Sequence, residues 1–179
     1  FILASDPYGL SPIILSKHKV DEIFLDNKNK TVWQTIWVHD YNHWIKKDRF
    51  MPRVNAKAGM LPPKIARSMI NIAPGEVWGK GKKLVDPFCG SGRVLVEAAE
   101  LGFDVAGADI INSQCVETKE NLTFLGYKSE VYCIDSTHLS QKFKNSIDLI
   151  VTEPFMGKPN PRADKIKYLV PGLEKLYLG

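Results

Sequence analysis

From residue 82 onward, short apolar runs alternate with amphipathic stretches. Runs rich in β-branched residues predict strands at 82–86, 104–109, 129–134 and 147–152. Between the first three, 92–101 and 112–126 carry the longer spacing of helices. Such alternation implies an α/β fold with a parallel sheet, right-handed crossovers and helices on both faces. The last run, Ile147-Asp-Leu-Ile-Val-Thr152, is apolar enough for a central strand. As an edge it would be sticky, so further strands are expected beside it and the sheet is expected to be incomplete C-terminally. A Pro-rich loop at 158–162 and a helix over 164–177 complete the pattern.

The first part of the chain reads differently. Residues 12–16 and 22–26 predict short strands, Asn27-Lys-Asn-Lys30 a polar turn, and 31–38 a second β-rich run. Residues 20–38 therefore read as a hairpin, with Trp33 and Trp37 sharing parity on a core face. Charges, prolines and a glycine make 45–60 a loop. Pro62-Pro63 opens a helix to about Ala73, with Ile65, Met69, Ile70 and Ala73 on one face and Pro74-Gly75 as the stop. The expected organisation is a β-hairpin and basic loop segment over 1–60, then a cofactor-binding α/β domain over 61–179.

Composition adds limits. The 179 residues suffice for one domain with a small appendage, and 44% hydrophobic with 25% charged residues is ordinary for a globular protein. A net charge of +4 is compatible with a polyanionic partner and does not require one. Cys89, Cys115 and Cys133 are odd in number and lack C-x-x-C spacing, which suits neither a disulfide framework nor zinc, and predicts a reducing, cytoplasmic setting. His18, His39, His43 and His138 lack ligand spacing, so no metal is assigned. No apolar run approaches the roughly 20 residues that span a bilayer, so no membrane partner is expected. The start, Phe1-Ile-Leu-Ala-Ser-Asp6, has neither an initiator Met nor a basic n-region, and is expected to belong to a fragment or processed segment.

The chemistry concentrates at the ends of the predicted strands. Lys82-Lys-Leu-Val-Asp-Pro-Phe-Cys-Gly-Ser-Gly92 reads as a strand, a glycine turn and a helix N-terminus. Glycines let backbone approach a ligand, and the first helical N–H groups lack internal partners. Asp86 and Asp109 end predicted strands and Asp135 and Glu153 follow the next two, where ligands of parallel sheets bind. Asp109 lies 23 residues after Asp86, a spacing suited to a ribose diol. Singly, each acidic residue also reads as a strand end or a cap. Cys89 reads as a small space-filler.

A dinucleotide fingerprint wants a third glycine where this chain has Leu95, which disfavours a nicotinamide-dependent oxidoreductase, and no P-loop spacing occurs. A ligand with ribose and adenine but no phosphate fits better, and S-adenosylmethionine is such a ligand. Asp86 would serve its amino group, Asp109 its ribose and Asp135 its adenine amine. Phe88, Gly90, Gly92, Ile110 and Ser136 complete the expected cofactor contacts.

Asp86-Pro-Phe-Cys-Gly-Ser-Gly92, followed by Val94-Leu-Val-Glu-Ala-Ala99, resembles motif I of class I methyltransferases that modify nucleic-acid amino groups. Asn55-Ala-Lys-Ala-Gly-Met-Leu-Pro-Pro-Lys-Ile-Ala66, continuing to Asn71-Ile-Ala73, is a more selective match. It resembles the archaeal/eukaryotic-type tRNA guanine-N2-methyltransferase family, whose members usually carry an upstream THUMP domain. The similarity covers about residues 12–179. It implies a Rossmann-like class I fold, S-adenosylmethionine as cofactor, and tRNA or other structured RNA as partner. A THUMP domain or partner chain outside this segment is expected.

In amino-methylating enzymes, the place of Glu153-Pro-Phe-Met156 holds an Asp or Asn, two prolines and an aromatic. The resemblance assigns catalysis to Glu153, Pro154 and Phe155: two acceptors for the base amine and a stacking ring. Glu153 departs from the pattern by one methylene, and Phe155-Met156 replaces proline-aromatic. The basic residues Arg49, Arg53, Lys57, Lys64, Arg67 and Lys158 flank these motifs and are candidate phosphate contacts or plain solvated surface. Two alternatives stay open: an adenine-N6 methyltransferase acting on DNA or another RNA, and a cofactor-binding but inert partner subunit.

Overall fold

The computed structural model of the chain describes residues 10–54, 60–73, 75, 81–143 and 147–154. The chain divides into two compact units, Phe1–Arg49 and Phe50–Gly179.

In the first unit, Ser11 caps helix α1 (Pro12–His18) by accepting the Ile14 N–H. This corrects the strand expected at 12–16. Serine at the cap and proline in the first turn override the β-leaning Ile13-Ile14 pair. Strands β1 (Ile23–Asp26) and β2 (Thr31–Gln34) form the expected antiparallel hairpin. Asp26 tightens its turn by accepting the N–H groups of Lys28 at 3.0 Å and Asn29 at 3.1 Å. Helix α2 (Tyr41–Arg49) occupies the start of the predicted loop, with Asp40 accepting the His43 N–H at 3.1 Å. Residues 55–59 lie outside the described residues. Strand β2 stops at Gln34, short of the expected 31–38 run, so Trp37 lies beyond the sheet. Trp33 and Trp37 are 63% and 73% exposed, not core, and a two-stranded sheet has too little face to bury Trp33.

In the second unit, Pro63 opens helix α3 (Pro63–Ile72). Its buried positions are Pro63, Ala66 and Ile70, with Met69 packed alongside, whereas Ile65 and Ala73 are exposed. The small Ala66 marks the true inner face, and bulk alone misplaced it.

Strands β3 (Lys83–Asp86), β4 (Asp104–Asp109), β5 (Glu130–Cys133) and β6 (Leu149–Ile150) make one parallel sheet in the order β5-β4-β3-β6. Helix α4 (Arg93–Glu100) connects β3 to β4, and α5 (Asn112–Phe124) connects β4 to β5. Strand β6 is shorter than its apolar run. Backbone bonds from Asp148 N–H to Lys83 and from Val151 N–H to Val85 nevertheless extend its attachment on both sides.

Side-chain alternation along the strands separates two cores. Leu84, Val105, Val131 and Val151 join α3, α4 and α5 in the larger one. Val85, Ala106 and Phe143 form the smaller, with Leu139 of the 3-10 helix Ser136–Gln141 packed on it. The result is an α/β fold with a central parallel sheet flanked by helices. The expected helix over 164–177 lies outside the described residues. Among the described residues, no helix is long and apolar enough to cross a membrane.

Candidate functional site

Parallel strands bring their carboxyl ends to one edge, and this edge carries the candidate residues. Asp86 ends β3 and Asp109 ends β4. Asp135 follows β5, and Thr152, Glu153 and Pro154 follow β6.

The loop after β3 is shaped by its own sequence. Gly90 and Gly92 have φ of 52° and 85°, the left-handed region that glycine tolerates. A Cβ on Gly92 would also lie 2.9 Å from Cγ2 of Thr118. The Cys89 N–H donates to the Ala108 carbonyl at 2.9 Å, pinning the loop to β4. Asp109 accepts the Gly90 N–H at 3.1 Å through one oxygen and the Ile111 N–H at 2.9 Å through the other.

Helix α5 braces this loop with residues that sequence reasoning missed. The Thr118 hydroxyl donates to the Gly90 carbonyl at 2.6 Å. The Asn121 amide donates to the Ser91 carbonyl at 2.9 Å and accepts the Arg53 N–H at 2.9 Å. Both side chains are fully buried. The available signal was polar residues at core-facing positions of α5, beside buried Cys115 and Leu122.

Asp86 is the electrostatic centre. It is 2% exposed, and burial is the main cause that pushes its pKa up to about 7. The Thr152 hydroxyl at 2.6 Å and the Phe88 N–H at 3.0 Å, both donating to Oδ1, oppose that rise. The carboxylates of Asp109 and Glu153 both reinforce it, so two of the other predicted acids act on Asp86. Asp135 accepts the N–H and hydroxyl of Thr137 at 2.9 and 2.8 Å, capping the 3-10 helix. Burial, with the Asp86 charge, pushes the Cys89 thiol well up, which suits a filler and not a nucleophile.

Phe88, Gly90 and Ser136 are half-buried along this edge, Gly92 is buried, and Ile110 and Glu153 are exposed. Two hollows of about 430 and 520 Å³ lie elsewhere, on the outer side of α5, and none of their lining residues ends a strand. The carboxyl edge is the stronger candidate because it combines glycine-shaped backbone with clustered acids. Those acids are a test of the cofactor. Clustered carboxylates repel a pyrophosphate and are relieved by a cation, and each oxygen of Asp109 keeps acceptor capacity for hydroxyl groups. S-adenosylmethionine, with a cationic amine, a sulfonium and a ribose diol, fits that donor set.

The basic candidates divide. Arg53 pairs with Glu120 at 2.6 Å. Arg67 is held by Glu97 at 2.6 Å and Glu100 at 2.8 Å, an intramolecular ion pair between α3 and α4. Lys64 on α3 is exposed, as is Arg49 within the first unit. Lys57, Phe155 and Lys158 lie outside the described residues.

Residues 51–173 match the UPF0020 family, described as RMKL-like, methyltransferase domain. The chain belongs to this family. Among its relatives, the tRNA (guanine(10)-N2)-dimethyltransferase of Methanothermobacter thermautotrophicus is 38% identical over 55% of the chain and 28% of that protein. The human U6 snRNA (guanine-N(2))-methyltransferase THUMPD2 is 28% identical over 69% of the chain and 25% of that protein. Among solved structures, TrmN from Thermus thermophilus aligns with a TM-score of 0.56 and 25% identity, over 80% of the chain and 38% of that structure. The chain thus spans well under half the length of these relatives.

Proposed function

We propose that this UPF0020 member is an S-adenosylmethionine-dependent methyltransferase acting on an exocyclic amine of an RNA base, with guanine N2 in tRNA as the target. The observation that carries the reading is that Asp86 and Asp109 each accept an N–H of the glycine loop at the carboxyl edge of the sheet, with Glu153 following the neighbouring strand β6. Relatives named for guanine-N2 methylation of tRNA and of U6 snRNA support the choice of atom.

The bound cofactor supplies an electrophilic methyl group on a sulfonium. Asp86 would hold its cationic amine, and Asp109, which keeps the Gly90 backbone in place, would accept its ribose hydroxyls. Asp135 and Ser136 would serve its adenine, with Phe88 and Ile110 as further contacts. An exocyclic base amine is a poor nucleophile because its lone pair is delocalised into the ring. The Glu153 carboxylate and the Pro154 carbonyl would accept its two N–H bonds, which favours positive charge on nitrogen as the N–C bond forms and the methyl carbon–sulfur bond breaks, its electron pair leaving with sulfur as a neutral thioether. Glu153 then takes the proton that the amine sheds. Stacking on the base, which holds it in line, is assigned to Phe155 by its place in the motif alone. On the second unit, exposed Lys64 is a candidate phosphate contact.

The test is transfer of radiolabelled methyl from S-adenosylmethionine to bulk tRNA, followed by nucleoside analysis. Label in N2-methylated guanosine is the expected result. Label in N6-methyladenosine would move the target atom, and cofactor binding without any transfer would leave an inert partner subunit.

A further inference from the structure

We propose, resting on the methyltransferase reading, that Thr152 is a positioning residue that ties the buried cofactor carboxylate of Asp86 to the segment bearing Glu153 and Pro154. Strand β6 has only two residues, and the Val151 N–H donates to the Val85 carbonyl at 3.1 Å just beyond it. Past that bond, the Thr152 hydroxyl reaches across to Oδ1 of Asp86 at 2.6 Å. The same oxygen accepts the Phe88 N–H at 3.0 Å, at the start of the glycine loop. One carboxylate oxygen therefore fixes both the loop that shapes the cofactor site and the chain end that presents the base acceptors.

The bond has an electrostatic consequence as well as a geometric one. A hydroxyl donating to a carboxylate favours its ionised form, the form that holds a cationic amine. Asp86 is buried, and burial works against ionisation. The titratable groups that face it are Asp109 from the end of β4, Glu153 beyond β6 and the Cys89 thiol in the glycine loop. The two carboxylates also disfavour ionisation of Asp86. The Thr152 hydroxyl and the Phe88 N–H act in the opposite sense. Thr152 lets Asp86 meet a cation near neutral pH and, through its backbone, carries that state to Glu153.

The experiment compares Thr152→Val, which keeps the shape and removes the donor, with Thr152→Ser, which keeps the donor. In the ligand-free protein, the Asp86 carboxyl is titrated by carbon NMR. Affinity for S-adenosylhomocysteine is measured across pH by calorimetry, and methyl transfer is measured at saturating cofactor. For Thr152→Val the Asp86 midpoint is expected to rise by roughly one pH unit, with about a tenfold loss of affinity at neutral pH. Its transfer rate at saturation falls as well, because Glu153 loses its anchor. Thr152→Ser restores all three readouts. An unmoved Asp86 midpoint in Thr152→Val, or equal impairment of both variants, overturns the proposal. Normal binding and transfer by the wild type alongside an unaffected Thr152→Val overturns it alone. Failure of the wild type to bind at any pH overturns the methyltransferase reading with it.

Discussion

Leu95 packs directly against Gly107: its Cδ1 lies 2.6 Å from the point a Cβ on Gly107 would occupy, and Cβ of Cys89 lies 2.9 Å from it. Helix α4 thus sits close on β4 because the strand, not the helix, supplies the glycine. The absence of glycine at position 95 marks the departure from a dinucleotide site, and Gly107 explains how the layer still closes. Gly107→Ala should overpack this contact and cost about 1–3 kcal/mol. Urea denaturation should show an earlier midpoint with an unchanged slope, and cofactor affinity should fall because Cys89 anchors the glycine loop.

The Arg67–Glu97 pair gives a second expectation. The Glu97 side chain is 1% exposed and that of Arg67 is 20% exposed. Arg67→Leu would take a paired cation from a buried carboxylate and should destabilise by about 1–3 kcal/mol. The double replacement Arg67→Leu with Glu97→Leu should recover most of that loss. Were Arg67 chiefly a phosphate contact, its replacement would instead weaken RNA binding in a salt-dependent way and leave the unfolding midpoint in place.

The buried Asp86 sets a pH dependence of opposite sign to an ordinary ion-paired carboxylate. Its pKa is raised from 3.8 to about 7 on folding. Between those values the folded state binds the extra proton, so this contribution to stability is full below about 4 and is lost as pH rises to 7. Asp86→Asn should remove that slope. The gap between variant and wild-type unfolding free energies should change by a few kcal/mol across the window in denaturant titrations at a series of pH values. A constant gap would mean that Asp86 titrates alike in the folded and unfolded chains.

Binding and transfer should separate at two residues. Asp109→Ala should cost about 1–3 kcal/mol of cofactor affinity, since the carboxylate both accepts hydroxyls and fixes Gly90. Glu153→Ala should leave calorimetric affinity nearly unchanged and lower methyl transfer by about a hundredfold or more. Undiminished transfer would remove Glu153 from the reaction.

Much of the second unit was legible because its signals are local. Pro63 in the first turn of α3, the β-branched strand runs and the glycine loop each act within a few residues, and their spacing carries over into the observed elements. The first unit misled where local signals competed. A capping serine and proline outweighed the strand propensity of Ile13-Ile14, and the parity of Trp33 and Trp37 said nothing of what lies opposite them.

Sequence alone determined that acidic residues follow the strands and that glycines follow the first of them, because residue order fixes what ends an element. Only the tertiary structure decided that Thr152 bonds Asp86, that Thr118 and Asn121 brace the loop, and that Arg67 faces Glu97 instead of solvent. These contacts join residues from 28 to 66 positions apart. Chain order leaves such pairings open, and the parallel stacking of strands under the helices selects them.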